Sequence, residues 1–340
     1  DRAQAMVLGA LVGGLLQVAA QWPALRAIGY ASRPRFDWSD PGVRDVFRRI
    51  APMTFGIGIY YVDLILSRRF LSELRPGAQS YFSWAMRLCD FPQGIFVMAL
   101  STAALPSLST FAASGDMDEL GKTYAHGMRL SLFVAIPASV GLVFLAGPIV
   151  TTLLQRGEFD ALAARETARA LVFQGGAIWT VAAVRQLVPV FYALGNTRTP
   201  VIVSAIDLLA FIALAVGLRG PMGHAGISAA VAGSSAVQMV LLFVALKFQL
   251  AHVRLGEIAV SALRTLSASL VAGGAAWLAA RQVSGWESGF SSAHVAWPGI
   301  AALAVFSAVF LAAAYALRSP ELVPIVAGLR RRLVRAKPAR

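Results

Sequence analysis

A bundle of membrane-spanning α-helices is the architecture this chain encodes, and three observations point to it. Of 340 residues, 57% are hydrophobic and only 14% are charged, where a water-soluble domain carries about a quarter charged residues. Mean hydropathy is +0.67. The apolar residues gather in long runs, and about 20 such residues cross the hydrocarbon core of a bilayer. Barrel strands would instead alternate polar and apolar with period two. The basic residues, which give a net charge of +13, lie mostly between the runs and in the tail. That placement argues for membrane-surface loops rather than a nucleic-acid partner.

Nine runs qualify as spans. The first covers residues 4–22, with no charge between Ala3 and Leu25. The second, 50–72, is interrupted by Asp63. The third is read as one long helix over 80–112, charged only at Arg87 and Asp90. The fourth covers 130–154. The fifth, 170–194, contains Arg185, and the sixth, 199–218, contains Asp207. The last three cover 225–246, 262–281 and 295–317. Pro52, Pro92, Pro106, Pro137, Pro148 and Pro189 punctuate consecutive spans. Helices broken in this way line cavities in transporters, where freed backbone groups meet water or neighbours.

Orientation follows from the charge of the connections. With 22–50 taken as cytoplasmic, the loops on that side are 22–50, 113–129, 195–199 and 247–264, together with the tail. They hold 19 Lys and Arg residues, against 8 on the opposite side. The excess predicts a cytoplasmic C-terminus. The tail, with Arg330, Arg331, Arg332, Arg335, Lys337 and Arg340, serves as a topology signal or as a contact for anionic lipid. The chain begins at Asp1 and runs directly into an apolar segment without a basic leader. The start therefore reads as a truncation rather than a signal peptide.

Nothing points to an enzyme. Cys89 is the only cysteine, and His126, His224, His252 and His294 are far apart in sequence, so no metal-binding spacing is present. The stretch from Gly115 to Thr123 resembles a phosphate-binding loop. Its spacing is one residue too long, no strand precedes it, and three carboxylates would repel phosphate. It reads as a loop between helices.

Charges inside spans are costly, about 2.5–3.5 kcal/mol each on insertion scales, and are therefore informative. There are five: Asp63, Arg87, Asp90, Arg185 and Asp207. Arg87 and Asp90 are three apart, share a helix face and are placed to pair. Alternatively Arg87 faces a wet cavity and grips an anion, a role that suits a guanidinium because its fork matches phosphate oxygens. Arg185 either joins that task or extends toward the membrane surface. Three roles stay open for Asp63 and Asp207: holding a coupling cation, pairing with an arginine, or carrying a proton.

Several sequence blocks carry a resemblance. They are Gln17-Val-Ala-Ala-Gln-Trp-Pro-Ala-Leu, and Arg87-Leu-Cys-Asp-Phe-Pro-Gln-Gly-Ile-Phe-Val-Met-Ala-Leu followed by Leu105-Pro-Ser-Leu-Ser. Leu154-Gln-Arg-Gly-Glu-Phe and Phe191-Tyr-Ala-Leu-Gly-Asn-Thr-Arg-Thr-Pro complete the set. In order and spacing the chain resembles the MurJ (MviN) lipid II flippases from about residue 5 to 318. The resemblance implies a multidrug/oligosaccharidyl-lipid/polysaccharide exporter (MOP, MATE-like) fold, of which this chain is the C-terminal two-thirds. It implies that 1–25 is the last helix of a first lobe and 26–250 a six-helix C-terminal lobe. Residues 251–318 are then two additional C-terminal helices, and 319–340 a basic cytoplasmic tail.

The same resemblance implies alternating access in the bacterial inner membrane. The cargo would be lipid II or a similar polyprenyl-diphosphate glycolipid, moved for cell-wall biosynthesis. Membrane lipids and the cell-wall synthesis machinery are the implied partners. No cofactor is implied beyond coupling to the membrane potential or a monovalent cation. Arg87 matches the family's cavity arginine and Asp90 an acidic position one turn on, while Arg185 is a further substrate-binding candidate. Asp63, Ser67 and Asp207 are the candidate ion-coupling residues. Three positions depart from the pattern. Met86 stands where an Asp often precedes the arginine, Ser67 stands where some members use a carboxylate, and Phe211 on the sixth span stands where a polar residue is expected. The competing readings are an exporter of another polyprenyl-linked glycan or of a drug, and a membrane scaffold in which Arg87 is sealed in an ion pair.

Overall fold

The computed structural model describes residues 2–27, 29, 39–94, 98–250, 253–286 and 297–322. Helices dominate them, and no strand occurs among the described residues. In chain order these are α1 (Arg2–Ala27), α2 (Pro41–Ser72), α3 (Ala78–Pro92) and α4 (Met98–Ser114). Then come α5 (Met117–Phe144), α6 (Ala146–Leu154), α7 (Ala161–Gly176) and α8 (Ile178–Ala193). The last four are α9 (Arg198–Met222), α10 (His224–Gln249), α11 (Leu255–Trp286) and α12 (Trp297–Ala316). Contacts divide the chain into two compact units, 1–50 and 51–340. In the first, the described side chains of α1 are almost all exposed, a run of apolar surface that only lipid or a partner helix would cover.

Among the described residues, seven stretches are long and apolar enough to cross a membrane: Val7–Ala27, Met117–Phe144, Ala161–Ala193, Arg198–Met222, His224–Gln249, Leu255–Gln282 and Gly299–Ala316. They match seven of the nine expected spans. The expected span 50–72 falls within α2, a single helix of 32 residues, and part of it lies outside the described residues. The span expected over 80–112 is described as α3, a π-helical turn at Gln93 and Gly94 after Pro92, which has no amide hydrogen for the helical ladder, and α4 from Met98; residues 95–97 lie outside the described residues. The expected loop 113–129 is likewise mostly helical. Gly115 turns the chain at φ 75°, and Asp116 caps α5 by accepting the Glu119 amide at 3.1 Å. Asp118 and Glu119 then lie in the first turn, where the helix dipole favours negative charge. The resemblance of this stretch to a phosphate loop thus resolves into a capping motif.

Within 51–340 the helices pack around three apolar centres. The largest joins α5, α8, α10, α11 and α12 through residues such as Met128, Phe133, Leu187, Phe191, Leu242 and Phe310. A second joins α3, α5, α6, α7 and α8 through Ala85, Cys89, Val150, Leu171 and Ile178. A third holds Leu71 of α2, Phe82 of α3, Phe211 of α9 and Ile227 of α10. α11 turns Ala268, Ala272, Ala276 and Ala280 inward at four-residue spacing, and packs on α5 and α12. Small residues permit such close approach where lipid supplies no hydrophobic drive between helices. Outward, Ile202, Ile206, Leu209 and Val216 of α9 are exposed, as a lipid-facing stripe requires.

Polar pairs mark the two ends of this unit. At one end Arg129 of α5 donates through Nε to Glu321 at 2.8 Å, and the Ser261 hydroxyl of α11 donates to the same carboxylate at 2.8 Å. Arg129 also reaches Glu257 at 3.5 Å, and Arg254 bridges Glu257 at 3.0 Å and Asp118 at 3.3 Å. This clasp ties the segment after α12 to α5 and α11. Burial pushes the Glu321 carboxyl upward. The hydrogen bonds from Arg129, its own backbone and Ser261, with the charge of Arg129, outweigh burial and hold it below the ordinary glutamate value.

A carboxyl held low in the folded state contributes stability above its unfolded value and loses it as pH falls through the depressed one. Purified full-length protein should therefore keep a level thermal midpoint above the ordinary glutamate range and lose stability only at more acid pH. Arg129→Met should cost about 2 kcal/mol, the worth of a hydrogen bond to a charged group. It should also shrink the acid decline, because the Glu321 carboxyl is then no longer held as low by Arg129. An unchanged pH profile in a thermal-shift titration would show that the clasp does not stabilise the fold.

Candidate functional site

The first candidate lies on α3. On α3 the buried residues are Ala78, Phe82, Ala85 and Cys89. At 100° per residue, Arg87 falls opposite Ala85 and Cys89, and it is exposed. Its guanidinium lies over Trp84, 5.0 Å from the ring centroid. Trp84 is braced in turn by an edge contact with Phe159 at 6.2 Å. Asp90 is also exposed, and no ion pair joins it to Arg87 among the described residues. The pairing that three-residue spacing offered is thus not formed. Among the described residues Arg87 has no carboxylate partner, and its guanidinium rests on an aromatic shelf five residues before the end of α3 at Pro92.

Arg185 lies on α8, half-buried against the start of α4. Its Nη1 points at Met98 Sδ at 3.5 Å, and its backbone carbonyl accepts the Ser101 hydroxyl at 2.7 Å. The sulfur is a weak acceptor, so this guanidinium too has no carboxylate partner among the described residues.

The second candidate centre lies between α2, α9 and α10. Asp63 and Asp207 are close enough to repel each other, and Ser234 of α10 sits beside Asp207. One oxygen of each carboxylate, Oδ1 in both cases, is buried without a hydrogen-bond partner. Ser67, one turn beyond Asp63, is buried as well. The structure thus brings Asp63 and Asp207 together from helices 144 positions apart in sequence. No group of three or more His, Cys, Asp or Glu residues suited to a metal occurs among the described residues.

Sequence reasoning missed Ser234, because a serine in a membrane helix is too common to stand out. It also missed a buried polar ladder through the unit. Gln174 donates to Ser228 at 3.0 Å and to the Phe82 carbonyl at 3.4 Å. Thr180 meets Ser235 at 3.1 Å, and Gln186 donates to Ser131 at 3.4 Å. Satisfied polar pairs of this kind fix helix register where lipid gives none.

Comparison with known proteins decides what family this geometry belongs to. The family model described as lipid II flippase MurJ matches residues 1–296. The chain belongs to the MurJ lipid II flippase family. A probable lipid II flippase MurJ of Vibrio cholerae is 30% identical over 244 residues, covering 72% of this chain and 46% of that protein. The lipid II flippase MurJ of Burkholderia cenocepacia is 32% identical over 248 residues, covering 72% and 48%. The chain therefore spans about half the length of these curated relatives.

Among solved structures, a lipid II flippase MurJ in an inward closed conformation superposes with a TM-score of 0.67 at 18% identity. It covers 87% of this chain and 59% of that one. An outward-facing multidrug-resistance MATE transporter of the MOP superfamily gives 0.53 at 14% identity, covering 81% and 65%. These likenesses establish the fold: a polytopic helical membrane protein of the kind shared by MurJ and MATE proteins. The blocks around Arg87, Leu105, Leu154 and Phe191 all lie within the part matched to the MurJ family.

Proposed function

We propose that the protein carries lipid II, or a closely similar polyprenyl-diphosphate glycolipid, across the bacterial inner membrane by alternating access. The observation that carries this reading is Arg87, an exposed guanidinium without a carboxylate partner among the described residues, near the end of α3, in a chain of the MurJ family. A pyrophosphate in hydrocarbon is prohibitively costly, and a cation held on protein lowers that cost. Arg87 grips the diphosphate. Arg185, seated against α4, meets it as the cavity changes its opening, and Asp90 sets the field around the head group. Asp63, Asp207, Ser67 and Ser234 form the coupling site for a monovalent cation or proton.

In this reading residues 26–250 act as one lobe, 251–318 as two accessory helices and 319–340 as a basic cytoplasmic tail. The part of the tail beyond Leu322 lies outside the described residues. A cytoplasmic C-terminus agrees with the excess of basic residues on one side. A fluorescent protein fused after Arg340 should then light up in growing cells, and an alkaline phosphatase fused there should stay inactive.

The deciding test is transport by the purified full-length protein in liposomes carrying fluorescent lipid II. Lipid II should become accessible on the opposite leaflet faster than in protein-free liposomes, with no comparable movement of phosphatidylcholine. Equal rates with and without protein would reject the flippase reading. Movement of both lipids alike would identify a non-selective scramblase instead.

A further inference from the structure

At the end of the 51–340 unit opposite the Arg129 clasp, the structure holds a cavity of about 440 Å³ that the proposed transport does not use. It is lined by the turn between α2 and α3, the start of α7 and the α9–α10 turn. Arg75, Tyr81, Glu166, Arg169, Arg219 and His224 carry its polar groups. The volume lies within the roughly 300–1,000 Å³ of ordinary ligand sites.

Its charge is unbalanced. Arg169 bonds Glu166 at 2.9 Å, and Arg219 bonds Glu73 at 2.7 Å while lying over the Phe70 ring. Arg75 has no carboxylate partner among the described residues. Three guanidiniums thus meet two carboxylates. Each guanidinium has five N–H donors. In these two pairs Arg169 engages Glu166 and Arg219 engages Glu73 through Nη1 alone, which leaves further donors on both.

The frame around them is fixed. Nε2 of His224 lies 2.9 Å from the Glu166 carbonyl oxygen, so that nitrogen carries the hydrogen and donates it. Tyr81 packs edge-on to the same ring, with centroids 5.5 Å apart. Both turns depend on glycine: Gly77 and Gly223 hold φ of 91° and 61°. A Cβ on Gly77 would press into the Tyr81 ring.

We infer that this cavity is a binding site for a phosphate-bearing anion, seated between Arg75, Arg169 and Arg219. Guanidinium forks match phosphate oxygens in pairs, and one uncompensated positive charge in a concave site favours an anion over water. The cavity sits where helices end, at the level of lipid head groups. Its phosphate comes either from an anionic phospholipid or from free phosphate in solution.

The test uses the full-length protein in nanodiscs and reads hydrogen–deuterium exchange of the 73–81 and 219–226 backbones. Phosphatidylcholine discs are compared with discs containing phosphatidylglycerol, and with phosphatidylcholine discs given inorganic phosphate in place of chloride at equal ionic strength. Exchange should slow at least threefold in these two segments, and the effect should vanish in Arg75→Gln. Slowing by phosphatidylglycerol alone makes the ligand a lipid head group, and slowing by both makes it any accessible phosphate. No slowing from either, or slowing undiminished in Arg75→Gln, overturns the site. If that variant does not fold, Arg169→Gln is read in its place by the same criteria.

Discussion

Arg87→Ala in the full-length protein is expected to lower lipid II translocation by roughly a hundredfold and to fail to support growth of cells depleted of their own flippase. The size follows from a charge-assisted, two-point contact to pyrophosphate, for which about 3 kcal/mol is a moderate value. Folding should hardly change. Arg87 lies on the exposed face of α3 and its one described side-chain contact is the stacking on Trp84, worth about 0.5–1 kcal/mol at exposed sites. Arg87→Lys retains the charge but loses the fork and the flat stack, so an intermediate rate, roughly tenfold below wild type, is expected. Undiminished transport by Arg87→Ala, measured in the fluorescent lipid II assay with equal protein in the liposomes, would remove Arg87 from the mechanism. The family membership would then stand without this site.

The legibility of the chain varied with the range of the interactions involved. Long apolar runs are local, so seven spans could be read directly from hydropathy. The change of helical winding in the third span was half-visible: Pro92 and Gly94 were in plain view, yet a hydropathy window averages across the π-helical turn at Gln93 and Gly94. Arg87 was readable as a candidate because a guanidinium in an apolar run is costly wherever it points. Its freedom from Asp90 was not readable, since three-residue spacing allows a pair without enforcing one.

Contacts over long sequence separations left no signal at all. Glu321 is bound by Arg129 and Ser261, separated from it by 192 and 60 positions. Nothing in the local sequence around Glu321 marks it for such a role. Arg75, Arg169 and Arg219 entered the sequence reading only as counts on the less basic side. Their convergence on one cavity is a product of how α3, α7 and α10 pack.

Asp63 and Asp207 form the centre where structure narrows the sequence alternatives most, and where the second large effect is expected. No arginine pairs with either carboxylate among the described residues, and one oxygen of each is buried without a partner. Of the three roles open at the sequence level, arginine pairing therefore loses its support. Two nearby carboxylates away from water need compensation by a cation or a proton. Asp63→Asn and Asp207→Asn each remove the mutual repulsion, so either should raise the thermal stability of cation-free full-length protein by about 1–2 kcal/mol, the usual size of a coupling between neighbouring charges.

The same substitutions should abolish coupling. In proteoliposomes, wild-type transport should respond to an imposed sodium or proton gradient by tenfold or more, and both variants should be insensitive to it. Which gradient acts on the wild type names the ion. A response to sodium, together with sodium-dependent stabilisation that both variants lack, assigns the cation; a response to pH alone assigns the proton. Ser234→Ala separates the two further. A hydroxyl ligand matters to a dehydrated cation but is dispensable for a proton held by carboxylates alone, so this variant should weaken sodium dependence and spare proton dependence. Variants that are both destabilised and fully gradient-responsive would mean that the carboxylates are structural and that coupling resides elsewhere.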